Sequence, residues 1–361
     1  MRVSAMASVA ALGLALSVPV LGSDVVRTVQ AELNGRDLER FSIENLAGTL
    51  RVSSGPGNTV TVVATVHAET QAQADAVRLE RVEASGGRAA LRVRYPYDKV
   101  SSFQYREPSE SGEWNIGDWG SSSTYDYDGR RVRVSRGHGT RLYADLEVRV
   151  PEGRLNAAFL NLVGLVDAER LNGELRFEVS SADLRLSRLD GRLTIEGSSG
   201  DIRARDIKGS WTSDFSSGDC QLDGFDGDLL SFHTSSGDVV LRNVKARRAE
   251  FESTSGDVRL SDADLEELSA DATSGDVAFV AAGTRLRDVR IRTSSGDVSL
   301  RLPAGAAFDV DADQSSGDMD VRFSDGSSVE HDDKIVGYRR GSGGAHIRVR
   351  TSSGDLTVSP G

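Results

Sequence analysis

Carboxylates next to hydroxyls, repeated at even intervals, are the most chemically suggestive feature of this sequence. The phrase "TSSGDVSL" at residues 293–300 returns as "TSSGDVVL" from 234, "STSGDVRL" from 253, "ATSGDVAF" from 272 and "TSSGDLTV" from 351. Its aspartates are Asp183, Asp201, Asp219, Asp238, Asp257, Asp276, Asp297, Asp318 and Asp355. Stacked at strand spacing, such carboxylates repel each neighbour by about 0.9 kcal/mol even in water, and a calcium ion could relieve that. One carboxylate per repeat falls short of the roughly six to eight oxygens calcium takes. Arg185, Arg203 and Arg259, two residues beyond their aspartates, offer neutralisation instead. The expected role is structural: each aspartate accepts N–H groups of a turn, and no metal or cofactor is called for.

Other candidate chemistry is thinner. "DGFDGD" (Asp223, Asp226, Asp228) and "SDADLEE" (Asp262, Asp264, Glu266, Glu267) could supply the paired carboxylates of a glycosidase. They read more simply as acidic outer turns. His67, His138, His233, His331 and His346 lack metal-ligand spacing, and His233 falls on an outward position. Cys220 is the only cysteine, so it forms no intrachain disulfide, and it replaces Val, Ile, Leu or Met in its repeat. No phosphate-cradling glycine loop with a lysine is present. Residues 96–141 are rich in Ser, Gly, Asp and aromatics and read as a long polar insertion. There Trp114, Trp119, Tyr125 and Tyr127 interleave with Asp118, Asp126 and Asp128. Aromatic faces beside acceptors suit sugars and protein surfaces. Trp114, Trp119, Tyr125, Asp126, Tyr127 and Asp128 are therefore the candidate binding residues.

The repeats must be built by elements of matching period. Taking glycine as marker, the copies stand at Gly200, Gly218, Gly237, Gly256, Gly275, Gly296, Gly317 and Gly354, with a degenerate one at Ala182. Intervals of 18 to 21 residues, and a last one of 37, indicate a solenoid. Two residues after the marker stand Leu184, Ile202, Cys220, Val239, Val258, Val277, Val298, Met319 and Leu356. Further apolar columns fall four after, five before and seven before, for example Leu241, Phe232 and Leu230 around Gly237. A spacing of two is the strand period. Each copy is a strand, a bend at the glycine and a second strand. Equivalent strands stack in parallel about 4.8 Å apart, and the crossover rule favours a right-handed coil. The expected fold is all-β: a parallel β-solenoid of ~19-residue coils, two to three strands each, with a β-rich N-terminal cap. The serine before each glycine can bond to the turn or to the next serine in the stack.

The flanks complete the expected organisation. Residues 1–22, with Arg2, an apolar run and "VLGSD", read as a signal peptide cleaved near Ser23, so the chain is expected to be exported. Residues 23–95 form the β-rich cap region, 96–141 the insertion, and 142–361 the solenoid with a capping excursion at 322–345. No later stretch is apolar enough to span a bilayer. A net charge of −12 argues against nucleic acid or an anionic membrane as partner. "IENLAGTLRV", "YADLEVRVPEG", the tandem "SSGDV" units and "GSGGAHIRVRTSSGDLTV" together resemble a bacterial β-strand-repeat family of unknown function that is labelled as adhesins. The resemblance covers nearly all of the mature chain. It implies a β-solenoid at or beyond the cell envelope and offers no catalytic residues; the 96–141 insertion departs from the common pattern. The expected function is binding or scaffolding, without catalysis, toward a surface glycan or envelope protein whose identity the sequence leaves open. The alternative is a polysaccharide-acting β-helix enzyme, a lyase or glycosidase.

Overall fold

A computed structural model describes residues 25–84, 87–105, 122–135, 137–331 and 334–361. The chain divides into two compact units, 1–165 and 166–361. Residues 142–165 thus belong to the first unit.

In the second unit the period of the sequence becomes a parallel ladder. Leu184 pairs with Ile202, Ile202 with Cys220, Cys220 with Val239 and Val239 with Val258. Each long strand, such as Val239–Ser255 or Val258–Ser274, bends around corners without losing its pairing. At the first corner the marker glycines take positive φ, 122° at Gly218, and lie carbonyl against Cα. A Cβ on Gly218 would fall 2.1 Å from the Gly200 carbonyl oxygen, so no side chain fits. A second corner holds Arg170, Arg188, Asp206, Asn243 and Asp262, all with φ of 53° to 56°. These exposed left-handed residues let the strand turn while their side chains stay in water. A third corner stacks Gly173, Gly191, Gly209 and Gly227 in the same carbonyl-over-Cα way.

The apolar columns point inward: Leu230, Leu241, Val289, Ile347 and Leu356 are essentially inaccessible. Each large side chain buried this way stabilises by about 1.5–3 kcal/mol. Two further inward columns were not among those expected. One precedes the marker by three (Phe215, Ser253, Thr293, Thr351) and one follows the second corner (Leu189, Ile207, Phe225, Val244). Volume is matched across coils. Fully buried Trp211 sits two residues from buried Ser213, and Phe215 fills space where a Cβ on Gly197 would come within 2.4 Å of its ring.

The order of the stack breaks late in the chain. Ala345–Ser353 pairs in parallel with Asp288–Ser295 on one side and Phe308–Ser316 on the other. Leu356–Pro360 likewise lies between Val298–Leu302 and Met319–Val321. The last repeat in sequence is therefore next to last in space. Outside it, Lys334–Arg340 runs antiparallel to Phe308–Ser316 and forms a hairpin with Ser327–His331. Tyr338 stacks 5.9 Å from Phe308 there, and its hydroxyl donates to the Phe323 carbonyl.

In the first unit Val25–Asn34, Thr59–Ala68 and Thr140–Pro151 form an antiparallel set. Phe41–Gly55 runs parallel to Arg88–Arg94 through its first residues and to Thr140–Pro151 through its last. The short helix Gln71–Ala76 opens on a capping box, with the Thr70 hydroxyl accepting the Gln73 N–H. Residues 96–141 are not wholly a polar surface insertion. Ser122–Tyr127 and Arg130–Ser135 form a hairpin whose turn residues Asp128 and Gly129 both have positive φ, the arrangement an Asp-Gly pair favours. Phe103, Tyr127, Val132 and Val134 are buried.

Candidate binding surface

The repeated aspartates are joined in one chain of hydrogen bonds. Oδ1 of Asp183 accepts the backbone N–H of Asp201 at 2.9 Å, and Asp201, Asp219, Asp238 and Asp257 each accept the N–H of the next coil's aspartate. The ladder continues through Asp276 to Asp297, then to Asp355, and from Asp355 to Asp318. It crosses the inserted repeat in spatial order rather than sequence order. Asp201 Oδ2 also meets Arg203 at 3.0 Å, while Arg259 bridges Asp238 and Asp257. Several bend serines bond to backbone of the adjacent coil, as Ser217 does to Ser198, and Ser199 bonds to both Ser180 and the Ser181 hydroxyl.

The acidic turns are paired across coils too. Asp223 accepts from Asn243, Asp228 from Arg247, Asp264 from Arg285, and Glu267 pairs with Arg248. Exposed pairs of this kind contribute about 0–1 kcal/mol each; their main effect is to balance the repeating negative charge. Among the described residues no group of three or more His, Cys, Asp or Glu is placed to hold a metal ion. Cys220 is buried, and burial together with the Asp219 charge pushes its thiol well above the usual range. Exposed His233 lies 3.3 Å from Glu252 of the next coil.

The six candidate binding residues part company. Trp114 and Trp119 lie outside the described residues. Tyr125 is half-buried and Asp126 is exposed, 3.8 Å from Arg131. Tyr127 is not an exposed aromatic: it is buried, and its hydroxyl donates to the Glu44 and Val93 carbonyls at 3.0 and 2.8 Å. Burial keeps that phenol far above its ordinary pKa. Asp128 binds Arg92 at 2.6 Å, and Arg92 also binds Glu44. Strand alternation across "STYDY" sends Tyr127 inward and Asp126 outward. The "YDGR" turn signal, read as a hairpin, would have separated the two.

Two features escaped the sequence reading. Asn45 and Asn161 are completely buried in the first unit. Asn45 Nδ2 donates to the Asn161 Oδ1 and the Ala144 carbonyl, Asn161 Nδ2 donates to the Gly48 carbonyl, and Tyr95 donates to Asn45 Oδ1. Their signal was the pair "NLAG" and "NLVG". In the second unit a hollow of 480 Å³ opens where residues 281–287, 303–307 and 343–344 replace the regular third side of the coil. Glu266, Leu286, Arg287, Pro303 and Phe308 line it with Arg285, which is anchored on Asp264 and on backbone carbonyls. Its signal was the lengthening of the interval from 19 to 21 residues.

Comparisons with known proteins agree with the repeat architecture. The profile of the Toastrack DUF4097 family matches residues 141–359, well over half of the chain. No curated protein matches. A crystal structure described as a "putative cell adhesion protein" from Clostridium sporogenes ATCC 15579 aligns over 93% of this chain and 100% of that one, at 8% identity and a TM-score of 0.19. A likeness that distant carries no argument about this chain. No helix among the described residues is long and apolar enough to cross a membrane.

Proposed function

The chain belongs to the Toastrack DUF4097 family, and from that premise we propose a non-catalytic, exported β-solenoid of the bacterial envelope or cell surface. It binds or scaffolds, in the periplasm or outside, and its coil is right-handed. One observation carries this reading: the polar groups of the repeats recur coil after coil and bond to the neighbouring coil. Asp238, for instance, accepts the Asp257 N–H and an Arg259 contact. A hydrolytic site needs a singular pair of carboxylates at a set separation, whereas a ladder needs the same group everywhere. Such a ladder makes a stiff wall on which other residues are displayed. Tyr125 and Asp126 stand on the hairpin of the first unit as the described part of the recognition surface, and residues 96–141 supply its remaining candidates.

Glycan and protein arrays probed with the full chain test the reading. A surface glycan or envelope protein should be retained, and the double variant Tyr125→Ala/Asp126→Ala should bind it more weakly without loss of fold by circular dichroism. Release of reducing ends with turnover from any envelope polysaccharide would overturn the non-catalytic assignment.

A further inference from the structure

The inserted repeat has a consequence for assembly. The chain lays down Asp288–Leu302, continues to the coil of Phe308–Val321, and leaves between them a gap one strand wide. Residues 345–360 return to fill that gap through the connection Gly341-Ser342-Gly343-Gly344, in which Gly341 and Gly343 have φ near 70°. Filling it is not a local event. Asp355 meets Asp297, which is 58 residues away in sequence, and Asp318, which is 37 away.

Residues 345–360 cannot be released into water, because Ile347, Val349, Leu356 and Val358 are all essentially inaccessible. Yet every strand contact they make is to another copy of the same repeat. The aspartate rung, the stacked glycine and the apolar columns are the same features a second molecule of this chain presents in its own gap. Exchange between two molecules keeps all those contacts and alters only the connection, the condition under which domain swapping is favourable.

Charge along the strands lowers the cost of opening. In place, the inserted strand sets Arg348 opposite Arg290 and Arg350 opposite Arg292, like charges directly across a ladder. Its other edge sets the same arginines opposite Asp311 and Asp313. With the strand withdrawn, the same register brings Asp311 to Arg290 and Asp313 to Arg292. The number of opposite pairs stays at two, because Asp311 and Asp313 exchange Arg348 and Arg350 for Arg290 and Arg292, while the two like pairs give way to one, Asp288 with Asp309. The outer coil thus has a complementary seat on Asp288–Ser295 while the repeat is away.

We propose that two molecules of this chain associate by exchanging residues 345–360, each repeat completing the coil stack of the other. The decisive test mixes two full-length variants, Thr293→Cys and Thr351→Cys, whose positions are paired in register. After incubation under mildly destabilising conditions and oxidation, the mixture should give a disulfide-linked species of twice the chain mass, and neither variant alone should. The double variant in one chain reports whether the pair can close within a molecule. If it closes there and the mixture stays unlinked, the proposal is overturned. If the double variant does not close, light scattering decides with a chain lacking Ser342 and Gly343. A shortened connection should raise the dimer fraction severalfold over the parent, and a monomer in both overturns the exchange.

Discussion

The repeats from Leu184 to Ser274 and those from Val277 to Pro360 share one phrase but are assembled differently. In the first set each coil turns three corners and pairs with its sequence neighbours through long strands such as Cys220–Ser236, with one register shift between Gly209 and Ser210. In the second set the strands shorten to pieces such as Val277–Ala281 and Val298–Leu302, loops replace the third side, and one repeat enters out of order. The ladder of aspartates runs unbroken through both. The bend and its rung are therefore enough to join any two coils. Loss of the third corner does not by itself break the order, since Val277–Ala281 still pairs with both Val258–Ser274 and Val298–Leu302.

The largest effect should come from the bend glycines. At Gly237, where φ is 116° and a Cβ would lie 2.2 Å from the Gly218 carbonyl oxygen, Gly→Val is expected to destabilise by about 3 kcal/mol or more. Gly305, in a loop of the second set, has nothing within 4 Å of an added Cβ, and Gly305→Val should cost within about 0.5 kcal/mol. Urea unfolding of both variants checks the contrast. Equal losses would mean that the late loops are as tightly specified as the bends.

A smaller difference should separate interior rungs from the outermost one. Asp257→Ala removes the acceptor for the Asp276 N–H and a partner of Arg259, and is expected to cost about 1–3 kcal/mol. Asp318 ends the ladder: its N–H donates to Asp355 Oδ1, and among the described residues its own carboxylate accepts no N–H of a further coil, so Asp318→Ala should cost less than half as much. Chemical denaturation measures both, and reversal of the order would break the ladder as an explanation.

Acid should produce the smallest effect, which among the repeats should fall on the late end. The Arg340 guanidinium holds the Asp325 carboxyl below the usual carboxylate range. A depressed carboxyl contributes its stability above its unfolded pKa, and that contribution is lost as pH falls through the folded value. Below about pH 4, amides of Phe308–Ser316 and Lys334–Arg340 should lose hydrogen-exchange protection, corrected for intrinsic rates, before those of Val239–Ser255. Asp325→Asn should abolish the difference in pH response between the two regions.

Much of the coil could be read from residues alone. Apolar side chains two apart require a strand, and glycine before aspartate requires a bend. At Gly218 a Cβ would lie 2.1 Å from the Gly200 carbonyl oxygen, and Asp201 accepts the Asp219 N–H of the next coil. Asp126 is exposed and Tyr125 half-buried, whereas Tyr127 is buried with its hydroxyl on the Val93 carbonyl and Asp128, at a left-handed turn position, pairs with Arg92. The second and third corners were harder to see. A left-handed residue such as Arg188 carries no compositional mark, and the third glycine column ends at Gly227, where Ala246 and Leu265 take its place in the ladder.

Periodicity and the Ser-Gly-Asp bend, both local properties, lie in the sequence: which side chains form the four inward columns, where the first corner turns, and which aspartate serves each rung. Pairing order does not. The edge offered by Asp288–Ser295 is met equally well by Phe308–Ser316 or Ala345–Ser353, since each brings the same apolar columns and the same Ser-Gly-Asp bend. A repeat is by construction interchangeable with its copies, so its sequence cannot name its neighbour. Loop reach and the capping hairpin of Lys334–Arg340 made that choice, although it sets Arg348 opposite Arg290, and they exist only once the chain is folded.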